Sequence, residues 1–430
     1  MNALIFFLLL VTGVLFTVCV ATLWWMLHAW RTPENYESTN FSTGGVQSRH
    51  TFTVIVPCRD EPHEVMAATV QRLLDQTHQH VDVVISVGDD DAETLDRARR
   101  LALQHPERIK VSVNRDRVKN KPRQLNSALE LCTGDIIGII DAESLTAPGL
   151  LAHIDATFQL TGADVVQGAV HLVNYRSRWF TLRNCLEYRI WFRSRLHGHA
   201  SAGFIPLGGN TVFVWRHLLE QVGGWDGDCL AEDCEIGVRL SAMGMHTVCV
   251  YDPVLTTLEE APTTISAFIK QRTRWSLGFM QVLSKGEWRK LGTWHRRLSG
   301  WWTLFQQYAI ALAGVLLPVA FLTAVLLALP VEIVMITYVP LIPLLLTVVF
   351  EILVLREFGR DMEFRIGLRD YVLLVVSTPF YQALLLYSAV AAAVKFRRRN
   401  FTWDKTPHAG THLGASVGRT GHASQKESRT

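Results

Sequence analysis

The sequence predicts a mostly parallel α/β domain that is joined to membrane-crossing helices. Between residues 51 and 141, short apolar runs alternate with segments of helical spacing, which is typical of a parallel sheet with helices on both faces. Long uncharged runs stand at both ends of this region. Hydrophobic residues make up 49% of the 430 residues and charged residues only 19%, a balance too apolar for a soluble protein of this length.

The first uncharged run covers residues 1–30. It is long enough to cross a bilayer, which takes roughly 20 apolar residues. A cleaved signal peptide has a basic start and a shorter apolar stretch, so we interpret this run as a transmembrane anchor. Trp24, Trp25 and Trp30 are expected at the membrane interface. Residues 31–50 are polar and predict a linker.

The α/β pattern begins at Thr51. The predicted strands are Thr53–Pro57, Val81–Val87, Lys110–Asn114 and Asp135–Ile140. The predicted helices between them are Val65–Gln76, Thr94–Gln104 and Leu125–Cys132. Because parallel sheets of this kind bind ligands at the carboxyl ends of their strands, we expect a site near Asp89–Asp91 and Asp141.

Two segments mix basic and aromatic side chains. Residues 176–200 interleave six arginines with apolar and aromatic residues, which is typical of an amphipathic helix on a membrane surface. A helix packed on the domain with a solvated basic face is the alternative. Residues 286–300 have the same character and predict a second interfacial helix.

Residues 301–395 predict a transmembrane bundle. Their uncharged runs are Trp301–Val331, Ile333–Phe350 and Tyr371–Val394. Lys395 and Arg397–Arg399 predict that the tail, residues 396–430, is cytoplasmic and on the same side as the α/β domain. An even number of membrane crossings is then needed between the α/β domain and the tail. One of the three runs is therefore expected to be re-entrant or to split into two elements. The composition of the tail predicts that it is largely disordered.

Charge and cysteine content narrow the class of protein. The net charge of +3 is too small to predict nucleic-acid binding. The seven cysteines form no C-x-x-C pair, which favours a reduced, cytoplasmic compartment for the α/β domain.

Two acidic clusters follow predicted strands. Asp141 and Glu143 alternate at a strand end, so their side chains are expected to point the same way. They are either a pair of metal ligands or a solvated strand end. Asp89–Asp91 either bind the base or ribose of a nucleotide or cap the helix that begins near Thr94.

Two helical segments carry further candidate residues. Asp233 follows Glu232 at the start of a predicted helix, where it is either a general base or a helix-terminal charge. Gln271, Arg274 and Trp275 fall on one helical face and offer an amide, a guanidinium suited to phosphate and an indole for stacking. A surface helix with snorkelling cations is the alternative.

Six motifs in order carry a resemblance to a known family. They are Val54–Pro57, Asp89–Asp91, Lys121–Asn126, Asp141–Glu143, Gly223–Asp226 with Glu232 and Asp233, and Gln271–Trp275. Over residues 50–395 the chain resembles inverting family 2 glycosyltransferases of the membrane-bound cellulose synthase, hyaluronan synthase and poly-N-acetylglucosamine synthase type. The resemblance implies a GT-A fold, Rossmann-like with a mostly parallel sheet.

The resemblance implies a donor site. Asp89 or a neighbour such as Asp90 would contact the uridine of a UDP-sugar, and Lys121 would lie near its phosphates. Asp141 and Glu143 would position Mg²⁺ or Mn²⁺ on the diphosphate. This sequence departs from the family in having Glu143 in place of Asp, one methylene longer, and in lacking the usual D-D-G-S loop. The choice among Asp89–Asp91 therefore stays open.

The resemblance also implies a catalytic and an acceptor site. Asp233 would be the base that deprotonates the acceptor hydroxyl. Gln271 and Arg274 would hold the diphosphate, and Trp275 would support the acceptor sugar. The reaction would be an in-line displacement with inversion at the anomeric carbon.

The implied protein is a multi-pass enzyme of the plasma membrane with a cytoplasmic catalytic domain at residues 51–285. It would transfer a sugar from a nucleotide diphosphate donor to a polysaccharide. The alternative is a single addition to a lipid, as in ceramide glucosyltransferases. A non-catalytic membrane nucleotide sensor or transporter is the alternative of another class, but it has no need of Asp233 or Trp275. The expected partners are the donor, a glycan or lipid acceptor and the membrane, without nucleic acid.

Overall fold

The computed structural model describes residues 2–32, 46–326 and 331–402. Most of the predicted linker and the predicted disordered tail beyond residue 402 lie outside the described residues. The chain begins with α1 (Asn2–Met26) and the short α2 (His28–Arg31).

Nine strands are present in the described residues. Their bounds are β1 (Phe52–Cys58), β2 (Val81–Gly88), β3 (Ile109–Asn114), β4 (Ile136–Ile139), β5 (Val165–Gln167), β6 (Val170–Leu172), β7 (Val212–Trp215), β8 (Thr247–Cys249) and β9 (Thr257–Glu259). Seven of them form one sheet in the order β3-β2-β1-β4-β7-β5-β8, and β6 pairs with β9 in a second. Only β7 runs antiparallel to its neighbours in the described sheets, so the predicted mostly parallel α/β class is confirmed.

One set of helices belongs to the α/β domain, and a second set follows this domain in the chain. Those of the α/β domain are α3 (His63–Leu74), α4 (Ala92–Gln104), α5 (Lys121–Leu129), α6 (Leu150–Thr161), α7 (Thr181–Ile190), α8 (Leu196–Ser201), α9 (Arg216–Gln221), α10 (Glu232–Ala242) and α11 (Ile265–Lys285). The later ones are α12 (Trp294–Leu326), α13 (Val331–Thr337), α14 (Leu341–Asp361) and α15 (Leu368–Arg397). Residues Glu287–Lys290 form a 3-10 turn, and α12 begins at Trp294, within the predicted second interfacial segment.

The central strands are buried on both faces, as continuous runs of Val and Ile predict for a parallel sheet. Val54, Ile55 and Val56 of β1 have no exposed surface. Val54 and Val56 belong to the apolar core on one side of the sheet, and Ile55 belongs to the core on the other. Hydrophobic burial on both faces is consistent with the interior place of β1 between β2 and β4, and the end of this strand leads into the site.

The segment predicted as an amphipathic interfacial helix forms α7, a π-helical turn (Trp191–Arg195) and α8. Two of its arginines are buried in ion pairs with α14. Arg183 lies 2.8 Å from Glu351, and Arg189 lies 2.7 Å from Asp361. These two cations therefore join the α/β domain to a later helix, while a place for the segment at the membrane surface stays a prediction.

Four helical segments of the described chain are long and apolar enough to cross a membrane. They are Ile5–Met26, Trp294–Thr323, Val331–Asp361 and Leu368–Arg397. The first corresponds to the predicted anchor, and the other three to the uncharged runs of residues 301–395.

Candidate active site

A single cavity of about 170 Å³ brings most of the sequence-predicted residues together. It lies at the carboxyl ends of β1 and β4, where the topology predicts ligand binding. The predicted residues that line it are Lys121, Asp141, Glu143, Asp233, Gln271, Arg274 and Trp275. Residues from four distant stretches of chain thus share one pocket.

Lys121 is the first residue of α5. Asn120 caps this helix by accepting a hydrogen bond from the Arg123 N–H, which fixes where the helix begins. The Lys121 ammonium donates to the Gly209 carbonyl at 2.8 Å and lies 2.5 Å from Asp141 Oδ1 and 3.9 Å from Glu232 Oε1. Burial alone lowers the pKa of Lys121, but the two carboxylates outweigh it and hold the pKa above its ordinary value. Lys121 is therefore a permanent cation in the cavity.

The loop after β4 carries Asp141 and Glu143. Its backbone is held by Asn210, whose side-chain oxygen accepts from the Asp141 N–H at 3.2 Å. The Asn210 amide donates to Ser144 Oγ at 2.7 Å and also to Glu259, and the Ser144 hydroxyl donates to Glu259 at 2.8 Å. This network orients the acidic loop toward the cavity.

Asn210 and Glu259 were not predicted from the sequence, although both line the cavity. A signal for Glu259 exists in the pair Glu259-Glu260, which stands at the end of β9 as Asp141 and Glu143 stand at the end of β4. Asn210 carries no comparable signal, because its role depends on contacts between distant segments.

The carboxylates of Asp141 and Glu143 fit a divalent cation that is shared with a ligand. Among the residues that the structure describes, no group of three or more His, Cys, Asp or Glu side chains is placed to hold a metal by itself. Mg²⁺ in phosphate-transferring sites is commonly bound by one or two carboxylates together with substrate phosphates. Asp141 and Glu143, which line the same cavity, supply two such carboxylates.

Glu232 and Asp233 are the first two residues of α10. The N-cap position is Ala231, without a side-chain cap, and Asp233 Oδ1 accepts only from the adjacent Cys234 N–H at 2.8 Å among its hydrogen bonds in the described chain. Burial, reinforced by the neighbouring Asp233, raises the pKa of Glu232 to about 7. Burial also raises the pKa of Asp233. A raised pKa makes a buried carboxylate a stronger proton acceptor, which suits it to general-base catalysis.

Gly209 brings the backbone against this acidic pair. Its φ is +75°, a conformation that favours glycine. A Cβ atom there would lie 2.5 Å from Asp233 Oδ2. The position of Asp233 therefore depends on the absence of a side chain at residue 209.

Gln271, Arg274 and Trp275 lie on α11 and face the cavity together, as their spacing predicts. Gln271 is 7% exposed, and no hydrogen-bond partner reaches its Oε1 atom within the described residues. Buried polar atoms are normally hydrogen-bonded, so this oxygen is available to a ligand. The Trp275 ring lies 6.0 Å from that of Tyr188, which also lines the cavity.

Arg272, between these residues in sequence, was not predicted to have a role. Its guanidinium carbon lies 4.8 Å from the Trp275 ring centroid, a cation–π distance. Its Nη2 atom is 2.5 Å from a Glu187 oxygen and 3.2 Å from the Tyr381 hydroxyl of α15. Arg272 thus holds the indole and links it to a later helix.

Asp89–Asp91 lie outside the cavity lining. Asp91 caps α4 by accepting from the Thr94 N–H, so the capping interpretation holds for this residue. Asp89 pairs with Lys119 at 2.6 Å, and Asp90 pairs with Arg59 at 3.0 Å. Arg59 itself lines the cavity, so Asp90 contacts a residue of the lining without lining the cavity itself.

The fold and the site define an α/β protein of the GT-A type. Its structure resembles that of "Mannosyltransferase PcManGT from Pyrobaculum calidifontis in complex with GDP-Man and Mn2+", with a TM-score of 0.57 and 20% identity, covering 92% of this chain and 99% of that one. The profile of the family described as "Glycosyltransferase like family 2" matches residues 49–278, more than half of the chain. The chain therefore belongs to this family.

The sequence is also similar to curated relatives. A beta-monoglucosyldiacylglycerol synthase of Nostoc sp. is 28% identical over 305 residues, which are 68% of this chain and 62% of that protein. A probable glucomannan 4-beta-mannosyltransferase 6 of Oryza sativa subsp. japonica is 30% identical over 104 residues, 24% of this chain and 17% of that protein. The chain spans less than two thirds of these relatives. The broader resemblance to family 2 is thus confirmed, whereas membership of the cellulose synthase or hyaluronan synthase type stays a prediction.

Proposed function

We propose that the protein is an inverting glycosyltransferase that moves a sugar from a nucleotide diphosphate donor, UDP in the simplest case, to an acceptor hydroxyl at a membrane surface. One observation supports this most: Asp141, Asp233 and Trp275 line the same cavity although they are distant in sequence. A metal ligand, a base and an aromatic platform in one pocket are what the reaction requires.

The donor diphosphate is held by positive charge and by the amide of Gln271. Lys121 and Arg274 are cavity cations, and Arg274 offers the planar fork that suits phosphate oxygens. Asp141 and Glu143 would hold a Mg²⁺ or Mn²⁺ ion, which would supply further positive charge for the leaving diphosphate. Asp89 and Asp90 are proposed to contact the nucleoside at the edge of the cavity, beside Arg59.

Asp233 is the proposed general base. It takes the proton of the acceptor hydroxyl, the acceptor oxygen forms a bond to the anomeric carbon, and the bond from that carbon to the diphosphate oxygen breaks. The electron pair leaves with the nucleotide diphosphate, and the configuration at the anomeric carbon inverts. The raised pKa of Asp233 makes this carboxylate a stronger base than an exposed aspartate.

The acceptor lies against Trp275, and two observations favour different acceptors. The glucomannan mannosyltransferase relative favours a growing polysaccharide, as the sequence predicts. The beta-monoglucosyldiacylglycerol synthase relative, which matches a larger share of this chain, favours a single addition to a lipid. In either case the acceptor is presented at the membrane, because α11 packs against helices that are apolar enough to enter it.

The catalytic domain is proposed to be cytoplasmic, in a multi-pass protein of the plasma membrane. The seven cysteines are all free, which fits a reducing compartment. The basic Lys395 and Arg397–Arg399 favour the same side for the end of α15.

The test is to incubate the purified protein in lipid with a panel of radiolabelled nucleotide sugars and to size the products. We expect one donor to yield a labelled glycoside together with free nucleotide diphosphate. Long polymer identifies a polysaccharide synthase, and one glycosylated lipid identifies the second candidate. Donor binding without any nucleotide diphosphate release would instead support a nucleotide sensor or transporter.

A further inference from the structure

We propose that Arg195 and His199, together with the ring of Trp191, bind the phosphate group of a membrane lipid beside the catalytic cavity. These residues lie on the π-helical turn and on α8. They are separate from the residues proposed to act on the donor. Binding of a lipid can be measured without a nucleotide sugar, so failure of this proposal and failure of the proposed function are distinguishable.

Arg195 is a partly buried cation without a counter-ion in the part of the chain that the structure describes. Its guanidinium carbon lies 5.1 Å from the Trp191 ring centroid, and its buried Nε atom has no hydrogen-bond partner there. Burial lowers the pKa of Arg195 to about 10, so the side chain is still charged at neutral pH. Buried charges in proteins are normally paired, and an anion from outside the chain would supply the missing partner.

The carboxylate whose charge acts on Arg195 is that of Glu187, and it is already engaged. One of its oxygens lies 2.5 Å from Arg272 and accepts a hydrogen bond from the Tyr381 hydroxyl at 2.7 Å. Its charge raises the pKa of Arg195 but does not outweigh the effect of burial. Glu187 therefore does not serve as a close partner for Arg195.

His199 adds a second polar group at the same place. Its side chain is completely buried, and neither ring nitrogen has a hydrogen-bond partner among the described residues. The Trp191 ring lies 6.3 Å from the ring of His199, so Arg195 and His199 border the same indole. Burial, reinforced by the charge of Arg195, holds the pKa of His199 well below its ordinary value. The neutral ring keeps one N–H donor, which can serve a phosphate oxygen beside the guanidinium.

The end of α1 indicates the depth of this site in the membrane. The apolar span of α1 ends at Met26, whose carbonyl accepts a hydrogen bond from the Ser194 hydroxyl at 2.9 Å. The ring of Trp25 lies 4.4 Å from that of His199. Tryptophans at the end of a membrane span lie at the level of the lipid headgroups. Arg195, which follows Ser194 directly, is therefore at the depth of lipid phosphates.

The start of α12 reaches the same level from another direction. Its apolar span begins at Trp294. A Cβ atom at Gly203, just after α8, would lie 2.5 Å from the guanidinium carbon of Arg296. The Phe204 ring lies 5.9 Å from that of His199. Two span ends therefore meet around α8, and Arg296 adds positive charge there. This surrounding favours a lipid phosphate over an anion from solution.

The site adjoins the catalytic cavity. Phe192, three residues before Arg195, lines the cavity, and so does Tyr188, whose ring lies 6.0 Å from that of Trp275. Three residues of helix are about one turn, or roughly 5 Å. A lipid phosphate at Arg195 thus lies beside the proposed acceptor position. It belongs either to the acceptor lipid itself or to an accessory phospholipid next to it.

Lipid binding by the purified full-length protein tests the site. The protein in detergent is mixed with phosphatidylglycerol, or with diacylglycerol of the same acyl chains, and the first bound lipid is measured by native mass spectrometry. We expect preferential binding of phosphatidylglycerol and a loss of about tenfold in affinity in Arg195→Gln, as for one charge-assisted contact. Arg289→Gln is the matched control, because Arg289 is exposed and also lies near a tryptophan, 5.4 Å from Trp288. Equal affinity of Arg195→Gln and wild type would overturn the proposal.

Thermal unfolding separates a binding role of Arg195 from a structural one. Without lipid, Arg195→Gln removes an uncompensated charge, so its unfolding midpoint should equal or exceed that of wild type. Phosphatidylglycerol should raise the midpoint of wild type but not of Arg195→Gln, because a ligand stabilises only the protein that binds it. Arg195→Lys keeps the charge and should keep most of the rise. Equal rises in wild type and Arg195→Gln would assign Arg195 a structural role and overturn the proposal.

Two further measurements identify the source of the phosphate. Glycosylation of radiolabelled phosphatidylglycerol would identify an anionic acceptor lipid, whereas bound but unmodified phosphatidylglycerol, with transfer to another acceptor, would identify an accessory phospholipid. Both results support the site. Inorganic phosphate is the third probe. If it binds in an Arg195-dependent way while phosphatidylglycerol binds no better than diacylglycerol, the site takes a free anion and the assignment to a lipid is wrong.

Discussion

The ammonium group of Lys121 lies 2.5 Å from the carboxylate of Asp141, and both residues line the cavity. The same ammonium faces Glu232 at 3.9 Å, so one cation joins the acidic loop after β4 to the acidic start of α10. The two proposed functions of the cavity, donor binding and proton removal, are thus electrostatically coupled through Lys121. The first prediction follows from this coupling.

Replacing Lys121 with Met is expected to shift the pH dependence of activity. Lys121 lowers the pKa of both Glu232 and Asp233, against the burial that raises it. The base is active when deprotonated, so activity falls as the pH drops through its pKa. Without Lys121 that pKa rises, and the acidic limb of kcat/KM against pH moves to higher pH.

The matched control is Lys290→Met, because Lys290 is exposed and pairs with Glu287 outside the cavity lining. It is expected to keep the wild-type profile. If the acidic limb of the kcat/KM profile of Lys121→Met lies at the wild-type pH, the pKa of the base does not depend on the charge of Lys121.

Removal of divalent metal is expected to abolish transfer, and added Mn²⁺ or Mg²⁺ to restore it. Glu143→Gln keeps the shape of the side chain but loses its charge, so we expect the Mn²⁺ concentration for half-maximal activity to rise about tenfold or more. Binding of Mn²⁺ with the nucleotide diphosphate, measured by electron paramagnetic resonance, should weaken in parallel. Glu130→Gln, at the far end of α5, is the control. Full turnover in the presence of chelator would contradict the proposal that Asp141 and Glu143 bind a metal needed for transfer.

Arg272→Lys is expected to raise the KM for the acceptor while leaving the KM for the donor close to wild type. A lysine keeps the charge but loses the planar fork that contacts Glu187 and stacks near Trp275. Steady-state kinetics with each substrate varied in turn measures the difference. Lys270→Ala, an exposed change on the same helix, should alter neither constant. An equal rise in both KM values would indicate a general loss of structure rather than loss of indole positioning.

Gly209→Ala is expected to lower both stability and activity. The positive φ costs about 1–2 kcal/mol for a residue with a side chain, and the new methyl group meets Asp233 Oδ2. Gly223→Ala separates the two effects, since Gly223 has a φ of +74° but open space around it. The midpoint temperature of thermal unfolding should be lower in both variants. In contrast, kcat should drop only in Gly209→Ala. Equal kcat values in the two variants would contradict the close approach to Asp233.

The sequence predicted the parts of the site that depend on local spacing. Gln271, Arg274 and Trp275 share a helical face because i, i+3 and i+4 positions do so in any α-helix. Asp141 lies at the carboxyl end of β4 because the apolar run before it defines the strand. The antiparallel β7 was not predicted, since the pairing partner of a strand is set by contacts across the sheet.

The contributions of Asn210 and Arg272 were missed for a related reason. Asn210 acts through Asp141 and Glu259, which are distant in sequence, and no local pattern marks such a link. Arg272 is one of two arginines in the same motif, and only the packed structure shows that it faces Glu187 rather than the cavity. Sequence periodicity predicts which residues share a helical face, but the residues that this face contacts depend on the tertiary structure.

The most direct test of the account is the turnover of Asp233→Asn with saturating donor and acceptor. General base catalysis contributes roughly 10²–10⁴-fold, so we expect kcat to decline by about that factor while the Kd for the nucleotide sugar stays near that of wild type. Asp228→Asn is the control, because Asp228 is exposed and pairs with Arg123 at the protein surface. A kcat for Asp233→Asn equal to that of the control would contradict the assignment of the base and, with it, the proposed function of the cavity.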